Sequence, residues 1–344
     1  MIKRIGIDLA KDVFQIHGVD SEDQKVLTRK LKRREFLDFF ATKVDPNCLI
    51  GMEACASAHH WARQLIKLGF IVKLIPPQYV KPYVKRNKND ANDAEAICEA
   101  VSRPTMSFVP VKTLEQQDIQ SLHRVRCERV KQRTAIANQI RGLAAEYGIV
   151  APLRLNNLRS KIPLWLEDAE NGFSIPFRAM LNELNNQLKS LDNSIKEFDK
   201  QITEIANREP ACRKLQTLPG VGPLTATALY AAIGDGTQFS SGRQLGAWLG
   251  LTPRQHSSGG KEVLMNISKR GNAYLRTLFI HGARSAALVI EKKDTAIAQW
   301  FTRLATRRPK NVAVVALANK NARIAWAILT KGEDYREDNL QQAA

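Results

Sequence analysis

The sequence predicts two architectures in one chain, a mixed α/β domain over residues 1–110 followed by all-α regions to residue 332. Three observations predict this. Short apolar runs alternate with amphipathic stretches through the first 110 residues. Apolar side chains then recur at steps of four and three between Phe177 and Ile205. Beyond Pro210, helix-forming stretches are punctuated by Gly and Pro. A chain of 344 residues has the length for two or three domains, and 44% hydrophobic residues suffice to give it a core.

KRIGIDLA reads as a short apolar strand, DVFQIHGVD as a second and QKVLTRKLK as a third. The tight gaps between them suit an antiparallel meander. REFLDFFATKV reads as a helix, NCLIGME as a buried strand, SAHHWARQLIKLG as a helix stopped by Gly69, and FIVKLIP as another strand. Three hairpin-like strands followed by alternating helix and strand is the order of an RNase H-like domain.

Residues 111–210 change character. A basic helix covers about 113–148, where Arg124, Arg126, Arg129, Lys131, Arg133 and Arg141 stand against Glu128 alone between 124 and 141. Pro152, Pro163 and Pro176 mark a connector. Phe177, Leu181, Leu184, Leu188, Leu191, Ile195, Phe198, Ile202 and Ile205 then form a heptad seam, the signature of a coiled coil. Its partner is either the preceding basic helix folded back or another subunit; the period does not distinguish them. Residues 211–332 read as a mainly helical domain, with 311–329 a core helix, and the tail 333–344 as a polar segment that frays.

With 52 basic and 34 acidic residues the net charge is +18, which points to a polyanionic partner. No apolar run reaches transmembrane length and the start, MIKRIGIDLA, lacks the apolar core of a signal peptide, so no membrane role is expected and the bacterial cytoplasm, at the nucleoid, is the expected compartment. The scattered Cys48, Cys55, Cys98, Cys127 and Cys212 form no CxxC pair, which suits reduced thiols and argues against structural zinc.

Asp8 ends one apolar strand and Glu53 another, while Asp90 and Asp93 lie in NDANDAEAI, three apart and so on one helix face. Taken singly, each has a plain structural use: Asp fills turns, and carboxylates complement a helix N-terminus. Glu53 differs, because it follows the buried run LIGM, where an unpaired carboxylate is expensive. Four carboxylates meeting at strand ends would repel one another without a cation, and hard divalent ions prefer such oxygen ligands. Metal ions held this way serve phosphoryl transfer. His59, His60 and Trp61 follow Glu53 on a helix, where a structural role is the simpler expectation.

In LQTLPGVGPLTATAL a Gly-rich turn between two helical stretches resembles a helix-hairpin-helix. There Gly220 and Gly222 would let backbone N–H groups approach a phosphate. The alternative is an ordinary Gly–Pro turn between core helices. Further on, GLTPRQHSSGGK places Ser257 and Ser258 before Gly259 and Gly260, in what reads as a cationic loop with Arg254, Lys261, Lys269 and Arg270. A serine hydroxyl needs activation to act as a nucleophile, and nearby cations would stabilise charge on a phosphoryl group under attack. His256 is a candidate base or simply a solvated histidine. Ten basic residues between Lys269 and Lys310, Arg276, Lys292 and Lys293 among them, face only Glu291 and Asp294, which favours extended phosphate contact.

The succession GIDLAK, GMEA, KNDANDAEAI, LPGVGP, GLTPRQHSSGGK and ISKRGNAYLR resembles the DEDD transposases of the insertion-sequence one-ten family, over nearly the whole chain from Asp8 to about Leu329. The resemblance implies a RuvC-like N-terminal catalytic domain joined through a coiled coil to a C-terminal transposase domain. It implies that Asp8, Glu53, Asp90 and Asp93 bind Mg2+ (or Mn2+). The family serine precedes Gly in an SG motif and so matches Ser258, with Ser257 open as the alternative register. It further implies covalent attack on donor and target DNA by that serine, guidance by a structured bridge RNA, and a dimer to tetramer whose active sites combine two subunits. Base pairing would then read sequence while the protein holds backbone. Two other readings stay open: a resolvase-type endonuclease in which water attacks, and a non-catalytic nucleic-acid scaffold.

Overall fold

In a computed structural model the described residues are 1–85, 89–291 and 295–335. They divide into two compact units, one of residues 1–115 with 236–240, the other of 116–235 and 241 onward. Lys88 of the acidic motif, Lys292, Lys293 and Asp294 of the basic stretch, and tail residues 336–344 lie outside the described residues.

The first unit is a mixed α/β domain. Strands β1 (Arg4–Leu9), β2 (Val13–Val19) and β3 (Lys25–Lys32) form the antiparallel meander. Helix α1 (Phe36–Lys43) leads to β4 (Leu49–Glu53), and α2 (Ala58–Lys67) to β5 (Ile71–Ile75). The five strands form one sheet in the order β3-β2-β1-β4-β5, with β1, β4 and β5 parallel. Alternation along each strand sorts the side chains between two faces. Ile5, Ile7, Phe14, Ile16, Ile50 and Met52 pack with Phe36, Phe40 and Trp61 of α1 and α2. Phe14, Phe36 and Trp61 meet edge to face with centroids 4.9–5.1 Å apart. Trp61 is thus a core residue, and His59 Nδ1 accepts the Lys112 N–H at 3.2 Å, a structural bond.

The opposite face is covered by α4 (Asp90–Val101), reached through the short α3 (Pro77–Val80). It approaches closely because Gly6 faces it: a Cβ on Gly6 would lie 2.2 Å from the Ala94 carbonyl oxygen and 2.3 Å from the Cys98 nitrogen. Arg4 Nε donates to Cys98 O at 3.2 Å one step lower on β1. From Arg4 to Gly6 the contacts therefore shift from Cys98 toward Ala94. Helix α4 runs opposite to β1, and its first turn stands at the end of the sheet where β1 and β4 finish.

The second unit is helical apart from one hairpin. Helix α5 (Leu114–Ala145) is the basic helix, α6 (Leu155–Glu167) lies in the stretch expected to be a connector, and α7 (Ile175–Arg208) carries the heptad seam. Pro163 sits inside α6, where burial of Leu158 and Ile162 at 0% exposure outweighs the lost backbone bond. The seam is filled within the chain: Ala137 and Ile140 of α5 and Leu158 and Ile162 of α6 pack on Phe177, Leu181, Leu184 and Leu188. Arg126 Nε bonds Asp199 at 2.5 Å, and Arg133 bonds Asp192 at 3.3 Å. Seven residues forward on α5 correspond to seven back on α7, so the two helices are antiparallel.

The remaining helices are α8 (Pro210–Gln216), α9 (Pro223–Ile233), α10 (Gly242–Trp248), α11 (Ala273–Ile290), α12 (Ala296–Arg307) and α13 (Lys310–Lys331). Helix α13 is long and apolar enough to span a membrane by length and composition, contrary to the reading of the sequence alone. Here it is packed against α8, α10, α11 and α12, with Leu317, Ala318, Ala322 and Ala325 at 0% exposure, and so serves as a core helix. The serine segment is a β-hairpin rather than a loop: β6 (Pro253–Ser258) pairs antiparallel with β7 (Lys261–Ile267). Gly259 and Gly260, with φ of 57° and 78°, supply the two left-handed positions that a two-residue hairpin turn requires.

Candidate active site

Asp8 and Glu53 each follow the last registered pair of neighbouring parallel strands, Ile7 and Met52. Each lies two residues beyond a glycine that faces α4, Gly6 and Gly51, so both project from the α4 face of the sheet. Both are half-buried. Cys55, just past β4, registers the two charges together: burial, then Glu53 and Asp8, push its thiol above the usual range.

Asp90 and Asp93 occupy the first turn of α4, above that same end of the sheet. Asn89 caps the helix, its side chain accepting the Ala91 N–H at 2.9 Å. Asp90 is exposed and Asp93 half-buried. The positive end of the helix dipole also favours carboxylates here. The fold therefore brings all four to one end of one sheet. It does not close them into a cage: among the described residues no group of three or more His, Cys, Asp or Glu is positioned to hold a metal ion as it stands.

A second row crosses the sheet on this face. Asp8 is in register with Gln15 of β2, and Gln15 with Lys30 of β3. Nothing in the sequence pattern marks Gln15 as part of a site. The one available signal is a long polar side chain inside the otherwise apolar run VFQI.

Helices α8 and α9 flank the LPGVG turn. Gly220, with φ of 88°, is occupied by packing: its Cβ would lie 2.6 Å from the Gly282 carbonyl oxygen on α11. Close helix contact thus gives Gly220 a packing role on the side where a Cβ would stand. Gly222 has open space around its Cβ position and stands at the N-terminus of α9.

Ser257 and Ser258 are the last residues of β6 and are exposed. Ser258 is paired with Lys261, and Ser257 with Glu262. His256 lies two residues before Ser258 and so shares its face, opposite Val263. Arg254, Lys261, Lys269 and Arg270 are all exposed around the hairpin. Arg276 is engaged at its base, where Nη1 donates to Leu249 O at 3.0 Å.

The basic helix also divides. Arg124, Arg129 and Lys131 are exposed, Lys131 lying 3.6 Å from Glu128. Arg126 and Arg133 are the half-buried partners of Asp199 and Asp192, so their charges are spent on holding α5 to α7. Exposure, invisible in composition, separates the two groups.

Comparison with known proteins gives the family of the chain. Residues 5–149 match a family model described as a DEDD transposase, and residues 212–298 one described as "Transposase IS116/IS110/IS902 family". A probable family 20 transposase of Pseudomonas aeruginosa is 49% identical over 97% of this chain and 99% of its own. The transposase for insertion sequence element IS1111A of Coxiella burnetii is 47% identical over 97% of this chain and 92% of its own. A pilin gene-inverting protein of Moraxella bovis is 30% identical over 35% of this chain and 37% of its own. The class so defined is a DNA transposase, an enzyme that works on DNA. Within that class, the chain belongs to the IS110 family of insertion-sequence transposases.

Proposed function

We propose that this transposase cleaves and rejoins DNA strands through Ser258, assisted by a divalent ion on Asp8, Glu53, Asp90 and Asp93. The observation that carries the reading is that Asp8 and Glu53 end neighbouring parallel strands while Asp90 and Asp93 lie in the first turn of the helix over that face, as an RNase H-like, RuvC-like domain would require. An all-oxygen, anionic donor set suits Mg2+ or Mn2+. Such an ion, when bound, would neutralise charge on the phosphoryl oxygens. The carboxylates are therefore assigned to holding it. Domains over 1–110, 111–210 and 211–332 and the polar tail 333–344 are part of the same proposal, as is a helix-hairpin-helix at 215–229.

In the proposed reaction the Ser258 oxygen forms a bond to the scissile phosphorus and a DNA P–O bond breaks. The serine proton leaves, and the departing sugar oxygen takes one up. Attack by a second strand's hydroxyl reverses these changes, rejoins DNA and restores the serine. No net water or oxidant is consumed. Ser258 is favoured over Ser257 because its face of the hairpin carries His256 and Lys261, a base and a cation, whereas Ser257 is opposed by Glu262. The printed name of the Moraxella relative, a gene-inverting protein, also suits strand exchange. Exposed Arg124, Arg129, Lys131, Arg254, Lys261, Lys269 and Arg270 would contact DNA backbone and a structured bridge RNA, in a dimer or tetramer.

The test is a denaturing gel. Protein, guide RNA, Mg2+ and DNA substrate should give a protein–DNA adduct with wild type and with Ser257→Ala, but not with Ser258→Ala or Asp8→Ala. Cutting by Ser258→Ala at the wild-type rate without adduct would establish the water-attack endonuclease instead. Unchanged activity in Asp8→Ala would leave only a scaffold.

A further inference from the structure

We infer that Gln15 is a positioning residue of the acidic site, its side-chain oxygen accepting a hydrogen bond from water on the divalent ion beside Asp8. The inference rests on the metal reading just proposed and extends it to a residue outside the four carboxylates.

Three observations lead to it. Gln15 lies in β2 directly opposite Asp8 in the β1–β2 register, and cross-strand partners project to the same face. That face is the one α4 covers, since the next pair down, Gly6 and His17, meets α4 through Gly6. Second, Gln15 is 4% exposed, and among the described residues its Oε1 has no hydrogen-bond partner. A buried amide oxygen without a partner costs free energy and calls for an explanation. Third, the neighbouring carbonyl favours one orientation of the amide. Nε2 donates to Ile16 O at 3.5 Å. The flipped amide would set oxygen against oxygen there, so the acceptor is the atom left over.

An unpaired acceptor beside carboxylates cannot be answered by those carboxylates, which also accept. It needs a donor. Water on a hard cation is such a donor, and Mg2+ in particular keeps several of its waters. Partners of this kind orient what the metal holds, and their loss usually lowers metal affinity about 10-fold or more. The apolar residues on either side, Phe14 and Ile16, are turned to the opposite core. Gln15 therefore faces the acidic site by strand alternation alone.

Mn2+ binding to the full-length protein, followed by calorimetry and by the EPR signal of free Mn2+, tests this in wild type, Asp8→Asn, Gln15→Leu and Gln15→Glu. Asp8→Asn should abolish binding. Gln15→Leu should weaken it about 10-fold, whereas Gln15→Glu, which keeps an acceptor oxygen, should bind at least as tightly as wild type. Metal-free Gln15→Leu should melt no lower than wild type, because it removes an unpaired buried polar atom. If Gln15→Leu folds poorly, Gln15→Asn, which withdraws the amide by one methylene, should show the same weakening. Wild-type affinity in both Gln15→Leu and Gln15→Asn, alongside loss in Asp8→Asn, overturns the role of Gln15 alone. Wild-type affinity in Asp8→Asn overturns the metal reading beneath it.

Discussion

At the scale of single residues, Gly6 matters to the proposed site as much as the carboxylates do. It lets α4 lie against β1, and α4 brings Asp90 and Asp93 to the level of Asp8. A methyl group at Gly6 would meet backbone atoms of α4 at 2.2–2.3 Å, and backbone cannot rotate aside. Gly6→Ala is expected to destabilise the first unit by about 3 kcal/mol, the upper range for overpacking, read from urea unfolding. The arginines give a second test. Arg129→Ala should lower the slope of log affinity against log salt by about one, since an exposed cation releases one counterion equivalent. Arg126→Ala should leave that slope unchanged and lower stability, because its charge is already paired with Asp199.

At the scale of elements, the second unit is tied together by polar groups as well as by its seam. Asp192 of α7 receives both Arg133 of α5 and Arg159 of α6, and it is only 15% exposed. Asp192→Ala removes the ion-pair partner of both arginines, leaving Arg159 only its bond to Asn156, and should cost about 2 kcal/mol. A second tie is His123 of α5, 4% exposed, which bonds Tyr274 of α11 and Thr227 of α9 at 2.9 Å each. Thr227 donates its own hydroxyl proton to Pro223 O at 2.7 Å. The Thr227 oxygen therefore accepts from His123 Nε2–H, and Nδ1 accepts from the Tyr274 hydroxyl.

Such a histidine must stay neutral. Burial first, and Arg126 second, lower its pKa from 6.5 to about 4. Between those values the unfolded chain binds the proton that the folded one refuses. The stability associated with neutral His123 is complete above pH 6.5 and is lost as pH falls toward 4. The shift corresponds to about 3 kcal/mol. Unfolding at pH 7 and pH 4.5 should show this loss in wild type. His123→Leu should be less stable at pH 7 yet lose less on acidification. A residual slope is expected from His17, whose pKa burial also lowers.

At the scale of the whole molecule, a net charge of +18 makes binding to polyanions a property of the surface at large. DNA and RNA affinity should fall steeply with salt; a flat response would contradict phosphate contact as its basis. The heptad seam no longer argues for a second subunit, because α5 and α6 fill its first half within one chain. Assembly into dimers or tetramers is to be tested by light scattering with RNA and DNA bound. A strictly monomeric species there would remove that part of the proposal.

The sequence by itself determined the strands and main helices of the first unit and the family, and it singled out four carboxylates as candidates. Strand alternation, a Gly stop after α2 and acidic residues at apolar run ends are local patterns, readable without coordinates. Tertiary structure decided what depends on distance between remote positions. It alone showed that Gly220 faces Gly282, that Arg126 and Arg133 are spent on α7, and that SSGG turns a hairpin. It alone put Asp8 beside Gln15, through a strand register that no local pattern encodes. The four carboxylates stand at one end of one sheet because Gly6 admits α4. That is a packing fact, set by the absence of a methyl group and by which helix happens to lie above it.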